Sequence, residues 1–490
     1  MRDAVRKDEL CGYLASIVGE ANLLVAQNAV AEYARDFLRP YRGYQQLPRV
    51  AKRPLAVARP DSAEQLAAIM KLANQARVAV IPYGGGSGLM GGAVGLEPGI
   101  VIDLKAMNRI LHISAGDKLA RVEAGVILKT LEAALNKQGF ILGHDPWSLP
   151  LATVGGAIAT DGVGYRAAKY GSMGEQVMGL KVVLPEGDIL ETRAIPKSST
   201  GLDIKQLFIG TEGCLGIVTE ATIRIFPMPE VRLLRAYAFP DFEAGFEAVA
   251  EISALGLKPA LLDYGESRHF PGVGRFMKKY YQKQGPTLYL GFEGLRETAV
   301  AEMERADSIC RTHGSEDLGV AEVEKFWEER HWTAEQYARL ARRREWDRLM
   351  GLAGNIKMDF VHVALPKSQV IEYHRQSQQI LSRHGIRALD WGTWTCPELF
   401  SIVMVKVALT AKQARQEMSQ AVDELLALAH DMGGSMEYCH GVGIRLSHLM
   451  RREHGTGLDV LQRVKESLDP HNILNPGKLS LGKRKPRTPT

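Results

Sequence analysis

The stretch Pro82–Ala93 reads PYGGGSGLMGGA and follows directly on a β-rich run, Val78–Pro82. Within it, Gly86-Ser87-Gly88-Leu89-Met90-Gly91 has the form G-x-G-x-x-G, the dinucleotide fingerprint of nicotinamide-binding folds. That fingerprint works only where it opens a helix that crosses back over the sheet. Here Gly92–Gly99 alone separates the loop from the next β-rich run, Ile100–Leu104, and that connection contains Gly92, Gly95, Pro98 and Gly99. No crossover helix fits, so the nicotinamide reading fails on spacing. The loop's chemistry still suits phosphate, because consecutive glycines let backbone N–H groups converge on an anion without side-chain obstruction. Ser87 adds a hydroxyl donor.

Three further segments share this texture: DPWSLPLATVGGAIATDGVG (Asp145–Gly164), KYGSMGEQVMGLKVVLPEGDI (Lys169–Ile189) and IGTEGCLGIVTEATIRIFPMPE (Ile209–Glu230). Each puts small residues where a flat ligand or a second backbone could approach, with hydroxyls such as Thr153 and Thr160 beside glycines. Glycine supplies 49 of 490 residues, or 10%, against about 7% in average proteins. The excess is concentrated in these loops.

The rest of the composition is ordinary for a globular protein, with 46% hydrophobic and 24% charged residues, which excludes disordered, collagenous and coiled-coil classes. Basic residues exceed acidic ones by 61 to 56. The last eight residues, KRKPRTPT (Lys483–Thr490), hold four of the basic ones and no acid, so the body carries +5 minus 4, or +1. A nucleic-acid partner is not expected at that balance. Five cysteines without a CxxC pair disfavour a disulfide framework or structural zinc. The N-terminus lacks a signal-peptide pattern and no window reads as a membrane span, so a cytoplasmic protein is expected.

Domain texture divides the chain into an N-terminal helical segment (1–50), a glycine-dense α/β region (51–230), a strand–helix region (231–432), a glycine-bearing closing segment (433–482) and a disordered basic tail (483–490). In the second, Ser62–Gln75 carries Leu66, Ile69, Met70 and Ala73 at helical spacing. In the third, strands at Leu234–Phe239, Thr287–Glu293, Asp359–Leu365 and Phe400–Val407 are each followed by a helix of about 15 residues. A basic helical stretch, Arg339–Arg348, reads as a solvated face.

Taken in order, the four glycine segments resemble the FAD-binding domain of the vanillyl-alcohol-oxidase superfamily, most of all its D-lactate dehydrogenase, glycolate oxidase and alkyldihydroxyacetonephosphate synthase branches. The resemblance runs from Pro54 to Leu479, and GGSMEYCHGVG (Gly433–Gly443) and DPHNILNPGK (Asp469–Lys478) look like its closing signatures. It implies an α+β protein: a two-lobed PCMH-type FAD-binding domain plus a cap domain with an antiparallel sheet covered by helices. It also implies that Gly84, Gly85, Gly86, Ser87 and Gly88 hold the pyrophosphate. Asp145, Ser148, Thr153, Gly156 and Thr160 would lie along the cofactor, with Glu212, Gly213, Gly216, Ile217 and Asn475 completing its site. Covalent attachment is not expected, since Ser87 stands where some relatives carry a histidine and Cys214 reads as a small buried hydrophobe.

The same resemblance implies hydride transfer from a hydroxylated, anionic small molecule of the 2-hydroxy acid type to flavin N5. His440 is then the base, Tyr438 orients substrate, and Arg330 clamps a carboxylate. The lactate branch also carries an H-x-G-D-G-N-x-H metal signature and a Glu before the closing histidine. This chain has DWGTWTCPELF (Asp390–Phe400) and Cys439 there, so no metal is expected. The synthase branch carries three histidines before G-V-G and an Arg before its L-x-D run. This chain keeps one, His440, and Leu261-Leu262-Asp263 has no Arg before it. Its cap opening, Ala238–Ile252, nonetheless looks more like that branch, which leaves an alkyl-transferring enzyme, using FAD without net redox change, as the alternative. The electron acceptor is not set by these residues, and an exposed edge of the cap sheet would permit a homodimer.

Overall fold

A strand buried at every position needs a layer on both faces, and Ala56–Ala58 (β2) and Gly99–Asp103 (β4) are buried throughout. In the computed structural model, which describes residues 7–38, 43, 52–267, 285–340 and 355–482, both belong to a small sheet of order β1-β2-β4-β3. Ala79–Tyr83 (β3) pairs parallel with β4, and β4 pairs parallel with β2. The edge is Leu23–Leu24 (β1), antiparallel to β2. The N-terminal segment, expected as a separate helical piece, thus adds a strand to this lobe. Its helix Lys7–Val18 buries Leu10, Leu14 and Val18, one stripe at i, i+4, i+8, in the core shared with the helix Ala63–Ala76. The latter is capped by Ser62, whose hydroxyl accepts from Gln65 N, and ends at Arg77 in the left-handed region.

The second lobe is an antiparallel sheet of order β5-β6-β10-β8-β9. Its strands are Ile110–Ser114 (β5), Leu119–Glu123 (β6), Val177–Val183 (β8), Ile189–Glu191 (β9) and Ile217–Arg224 (β10). A short ribbon of Phe140–Ile141 (β7) and Phe226–Pro227 (β11) flanks it.

The cap is a seven-stranded sheet in which every pairing is antiparallel, of order β15-β12-β14-β13-β17-β18-β16. Four strands match the expected strand–helix units: Val231–Ala238 (β12), Thr287–Gly294 (β14), Ile356–Ala364 (β16) and Leu399–Val407 (β18). Their helices are Phe242–Ala254, Arg296–Thr312, Val370–Arg383 and Ala411–Asp431. Three strands escaped the sequence reading: Leu261–Ser267 (β13), Glu316–Gly319 (β15) and Arg387–Trp394 (β17). All three carry a glycine, which lowers strand propensity, and in two of them Gly265 and Gly392 face each other in register. A Cβ on Gly392 would stand 2.0 Å from Tyr264 O, so the close approach of β13 and β17 itself demands glycine. The region read as a degenerate metal signature is therefore β17 and its turn into β18.

The closing segment returns to the first lobe. Asn475 N donates to Val80 O (2.8 Å), and the buried Lys478 donates to Val94 O (2.6 Å). The basic tail and the stretch after residue 340 lie outside the described residues. No described helix is long and apolar enough to cross a membrane.

Candidate active site

The two lobes, the cap and the closing segment meet around a cavity of about 480 Å³. Gly84 to Gly88 line it, and the structure divides their roles. A Cβ on Gly84 would stand 2.4 Å from Thr153 Oγ1, and one on Gly85 would stand 2.0 Å from Leu151 O. These two glycines let the first lobe pack directly on the second. Gly86 takes φ +63°, where a side chain would meet the Tyr83 ring. Gly88 is the open one, its nearest neighbour being Asp36 Oδ2 at 3.6 Å.

Ser148, Thr153, Gly156, Thr160, Glu212, Gly213, Gly216 and Ile217 line the same cavity. Thr153 also caps the helix Val154–Ala159, accepting from Gly156 N. Among the lining residues that were not anticipated are Asp36 and His144. Asp36 Oδ1 accepts from Leu38 N at 2.9 Å, while Oδ2 is buried with no hydrogen-bond partner, as is His144 Nδ1. Burial pushes the Asp36 carboxyl up to about 6 and the His144 imidazole down to about 4. His144 adjoins the motif that begins at Asp145, but Asp36 lies in a segment that gave no sequence signal of a site.

The sequence pointed to Glu212 as a cofactor contact. It lines the cavity, and its buried carboxylate also organises the closing loop, accepting from Val442 N (2.5 Å) and from Gly443 N (2.7 Å to Oε1, 3.0 Å to Oε2). Burial raises its pKa and these N–H groups pull the other way, with a net rise. Gly443, at φ +50°, is wedged on the other side: a Cβ there would lie 2.0 Å from Met90 O. Asn475, unlike Glu212, does not line the cavity; its amide donates to Glu212 O (2.7 Å) and Gly92 O (3.0 Å). Cys214 is fully buried, and burial pushes its thiol up to about 12.

This loop delivers His440 to the cavity wall. Glu437 steadies it, Oε1 accepting from Cys439 N (3.0 Å) and His440 N (2.9 Å) and lying 3.5 Å from His440 Nδ1. Beside it stand residues from β16 and β17 that sequence reasoning missed. Met358, Phe360 and His362 share the cavity face of β16, whereas Val361 and Val363 point into the core beneath the helices. Trp394 adds a further aromatic.

The remaining expected residues are placed differently. Asp145 lies behind the cavity wall, fully buried. Its Oδ2 accepts from Arg330 Nε (2.8 Å) and lies 3.7 Å from Arg166 Nε, and Oδ1 lies 2.8 Å from His331 Nε2. Burial alone would raise its pKa, but the Arg330 and Arg166 guanidiniums and His331 hold it well below the usual carboxylate range. Arg330 lines the cavity, yet its Nε is committed to this cluster, which ties the cap to the part of the chain that carries Asp145 and Arg166, and its guanidinium lies over Trp327 (4.1 Å). Tyr438 lies outside the main cavity and lines a separate one of about 180 Å³. Its hydroxyl accepts from Cys396 Sγ (3.4 Å), and burial raises its pKa. Two residues apart on one loop, Tyr438 and His440 thus line different cavities.

Comparison with known proteins agrees with this architecture. A model described as FAD binding domain matches residues 54–193, and one described as FAD linked oxidases, C-terminal domain, matches residues 228–479. Glycolate oxidase subunit GlcD of Bacillus subtilis (strain 168) is 29% identical over 89% of this chain and 91% of its own length. Alkyldihydroxyacetonephosphate synthase of Trypanosoma brucei brucei is 28% identical over 91% of this chain and 75% of its own. A solved structure of alkyldihydroxyacetonephosphate synthase superposes with a TM-score of 0.74 at 23% identity, covering 96% of this chain and 86% of that one. The chain belongs to the FAD-linked oxidases of the vanillyl-alcohol-oxidase superfamily, and FAD is its cofactor. The cavity fits that group: Gly88 leaves a side-chain-sized opening, and Asp36 Oδ2 and His144 Nδ1 are buried polar atoms without partners in its wall.

Proposed function

We propose that this chain oxidises the CH–OH carbon of a small hydroxylated molecule of the 2-hydroxy acid type, with FAD held non-covalently. The observation that carries the reading is the placement of His440. One loop, pinned to the FAD-binding lobes through Glu212 and to Glu437 through its own N–H groups, brings an imidazole into the cavity lined by the glycine loop.

Bound FAD supplies a two-electron acceptor at the cavity. Gly86 to Gly88, Ser148, Thr153 and Thr160 would hold it from the two lobes, with Asp36 and His144 offering further hydrogen bonds. His440 accepts the hydroxyl proton, a role suited to an imidazole near neutral pH. Lys325, on the helix Ala321–Glu329, lines the cavity and offers a cation to an anionic substrate. Arg330, whose Nε is bonded to Asp145, is read as a latch between cap and lobe instead of a carboxylate clamp. The aromatic and apolar side chains of Phe360, Trp394 and Val403 exclude water around the reacting carbon.

Similarity to the trypanosomal synthase favours a second reading, in which the same site transfers an alkyl group without net redox change. An anaerobic screen of 2-hydroxy acids separates the two. The redox reading expects the flavin absorbance to bleach with substrate and to stay bleached until an acceptor is added. Turnover of an acylated glycerone phosphate with no accumulated bleaching would favour the transferase.

A further inference from the structure

His362 has no part in the reading above, yet it shares a wall with His440. The two rings meet edge to face, with centroids 4.5 Å apart and planes at 84°. Their spacing is set by main-chain hydrogen bonds. Ser435 and Ala364 exchange N–H···O bonds of 2.8 and 3.1 Å, and Tyr438 N donates to His362 O at 2.9 Å. The closing loop is therefore tied to the edge strand β16 by an antiparallel bridge between Ala364 and Ser435, and this register carries both imidazoles to the cavity. Phe360 packs against both rings at 5.4 and 5.6 Å, and Trp394 lies edge-on to His362 at 6.2 Å.

We propose that His362 and His440 form a two-imidazole clamp for substrates carrying oxygens on adjacent carbons. His440 takes the proton of the reacting hydroxyl, and His362 donates a hydrogen bond to the oxygen next to it. The inference rests on the reading of His440 as proton acceptor. The O–H proton goes to a ring nitrogen of His440, bound FAD would supply the acceptor for the C–H hydrogen and its electron pair, and C–OH becomes C=O. His362 neither gains nor loses a proton; it fixes which of two neighbouring carbons reacts.

A second chemistry competes for these atoms. The donor atoms of His362, Cys439 and His440 lie within 4.8 Å of one another, a set that a soft cation could bridge. The clamp is favoured because Cys439 is buried and Glu437 stands beside it, two effects that keep the thiol protonated, and a thiol is a poor ligand where a thiolate is a good one.

The test uses two probes that differ by one hydroxyl, 1-phenylethane-1,2-diol and 1-phenylethanol. Each is titrated into the FAD-loaded chain under anaerobic conditions, with binding read from the perturbed flavin spectrum, and into the apoprotein, with binding read from tryptophan fluorescence. The clamp expects the diol to bind about two- to tenfold tighter, the range one neutral hydrogen bond is worth. His362→Leu, which fills similar space without a polar atom, removes the preference. His362→Ala does the same should the leucine chain misfold, and His362→Gln, which keeps an N–H donor, restores part of it. His440→Ala keeps the preference and loses bleaching. No preference in the wild type, or one that survives loss of His362, overturns the clamp. One zinc per chain on purification, lost with Cys439→Ala, overturns it as well. A His362-dependent preference without bleaching supports the hydrogen bond from His362 and overturns the role of His440 as proton acceptor.

Discussion

Replacing Glu212 by alanine should release the loop that carries His440. The structure gives the magnitude. The carboxylate accepts from Val442 N and Gly443 N at 2.5–3.0 Å while itself only 6% exposed. Hydrogen bonds to a charged group contribute about 1.5–3 kcal/mol each, so losing both costs roughly 3–6 kcal/mol of local stability. At 1.4 kcal/mol per decade that is about two to four decades in the opening equilibrium of the loop. Glu212→Gln keeps one carbonyl oxygen but not the charge. Because charge-assisted bonds are about twice as strong as neutral ones, it should lose roughly half as much, or about one to two decades. Native-state hydrogen exchange at the Val442 and Gly443 amides reads this directly, and the rate of anaerobic flavin bleaching should fall in the same order. Since the backbone of Glu212 also accepts from Asn475 (2.7 Å), the closing segment beyond the loop should keep its protection in both variants. Amides at 442 and 443 that remain as protected in Glu212→Ala as in the wild type would refute the reasoning.

Further predictions concern the charges and the glycine loop. Asp145→Asn removes the carboxylate paired with the largely buried Arg330, while Arg166 keeps Glu132 (3.2 Å) and Glu293 (3.9 Å), and should lower denaturant stability by about 3 kcal/mol, the low end of the cost of breaking a buried pair. The folded carboxyl is held below its ordinary 3.8, so its contribution is complete above that pH and fades only as the solution is made more acidic; a wild-type minus variant difference that collapses near neutrality would contradict this. Asp36 has the opposite sign. Its carboxyl rises from 3.8 to about 6, so the folded apoprotein holds a proton that the unfolded chain releases, and stability falls as pH rises from about 4 to about 6. The shift corresponds to about 3 kcal/mol, and unfolding curves of the wild type and Asp36→Asn should diverge by that order between pH 4 and 7, with FAD absent. Gly85→Ala drives a Cβ to within 2.0 Å of Leu151 O; the loop must shift, and FAD affinity measured by apoprotein titration should drop at least tenfold, whereas Gly88→Ala, with its nearest neighbour at 3.6 Å, should perturb the fold less than it perturbs cofactor binding.

How far the sequence reached differs from element to element. Spacing alone excluded the nicotinamide fold, because eight residues rich in glycine and proline cannot be a crossover helix whatever surrounds them. The stripe Leu66, Ile69, Met70 and Ala73 foretold the helix Ala63–Ala76, since helical spacing is a property of one turn repeated along the chain. The strands β13 and β17 were hidden because their glycines are justified only by each other across the sheet. The glycine loop shows both limits at once. Its lack of side chains was plain, but Gly84 and Gly85 answer to Thr153 and Leu151 of the other lobe while Gly88 faces the open cavity.

The side chains that shape the site belong to the same division. That His440 sits in a glycine-flanked closing motif is a local fact, visible in the order of residues. That Glu212 holds its loop, from 230 residues away, and that Arg330 is bonded to Asp145, 185 residues earlier, are long-range facts. Charge and hydrogen-bonding capacity are written residue by residue, but their partners are chosen by which surfaces the packed lobes and cap bring within about 3 Å of one another. His362 passed unnoticed for that reason: along β16 it is one of three polar residues, with Lys357 and Asp359, and only the pairing of Ala364 with Ser435 sets its ring beside His440. Sequence determined which loops could face a dinucleotide; tertiary structure decided which of their atoms face it and which hold the protein together.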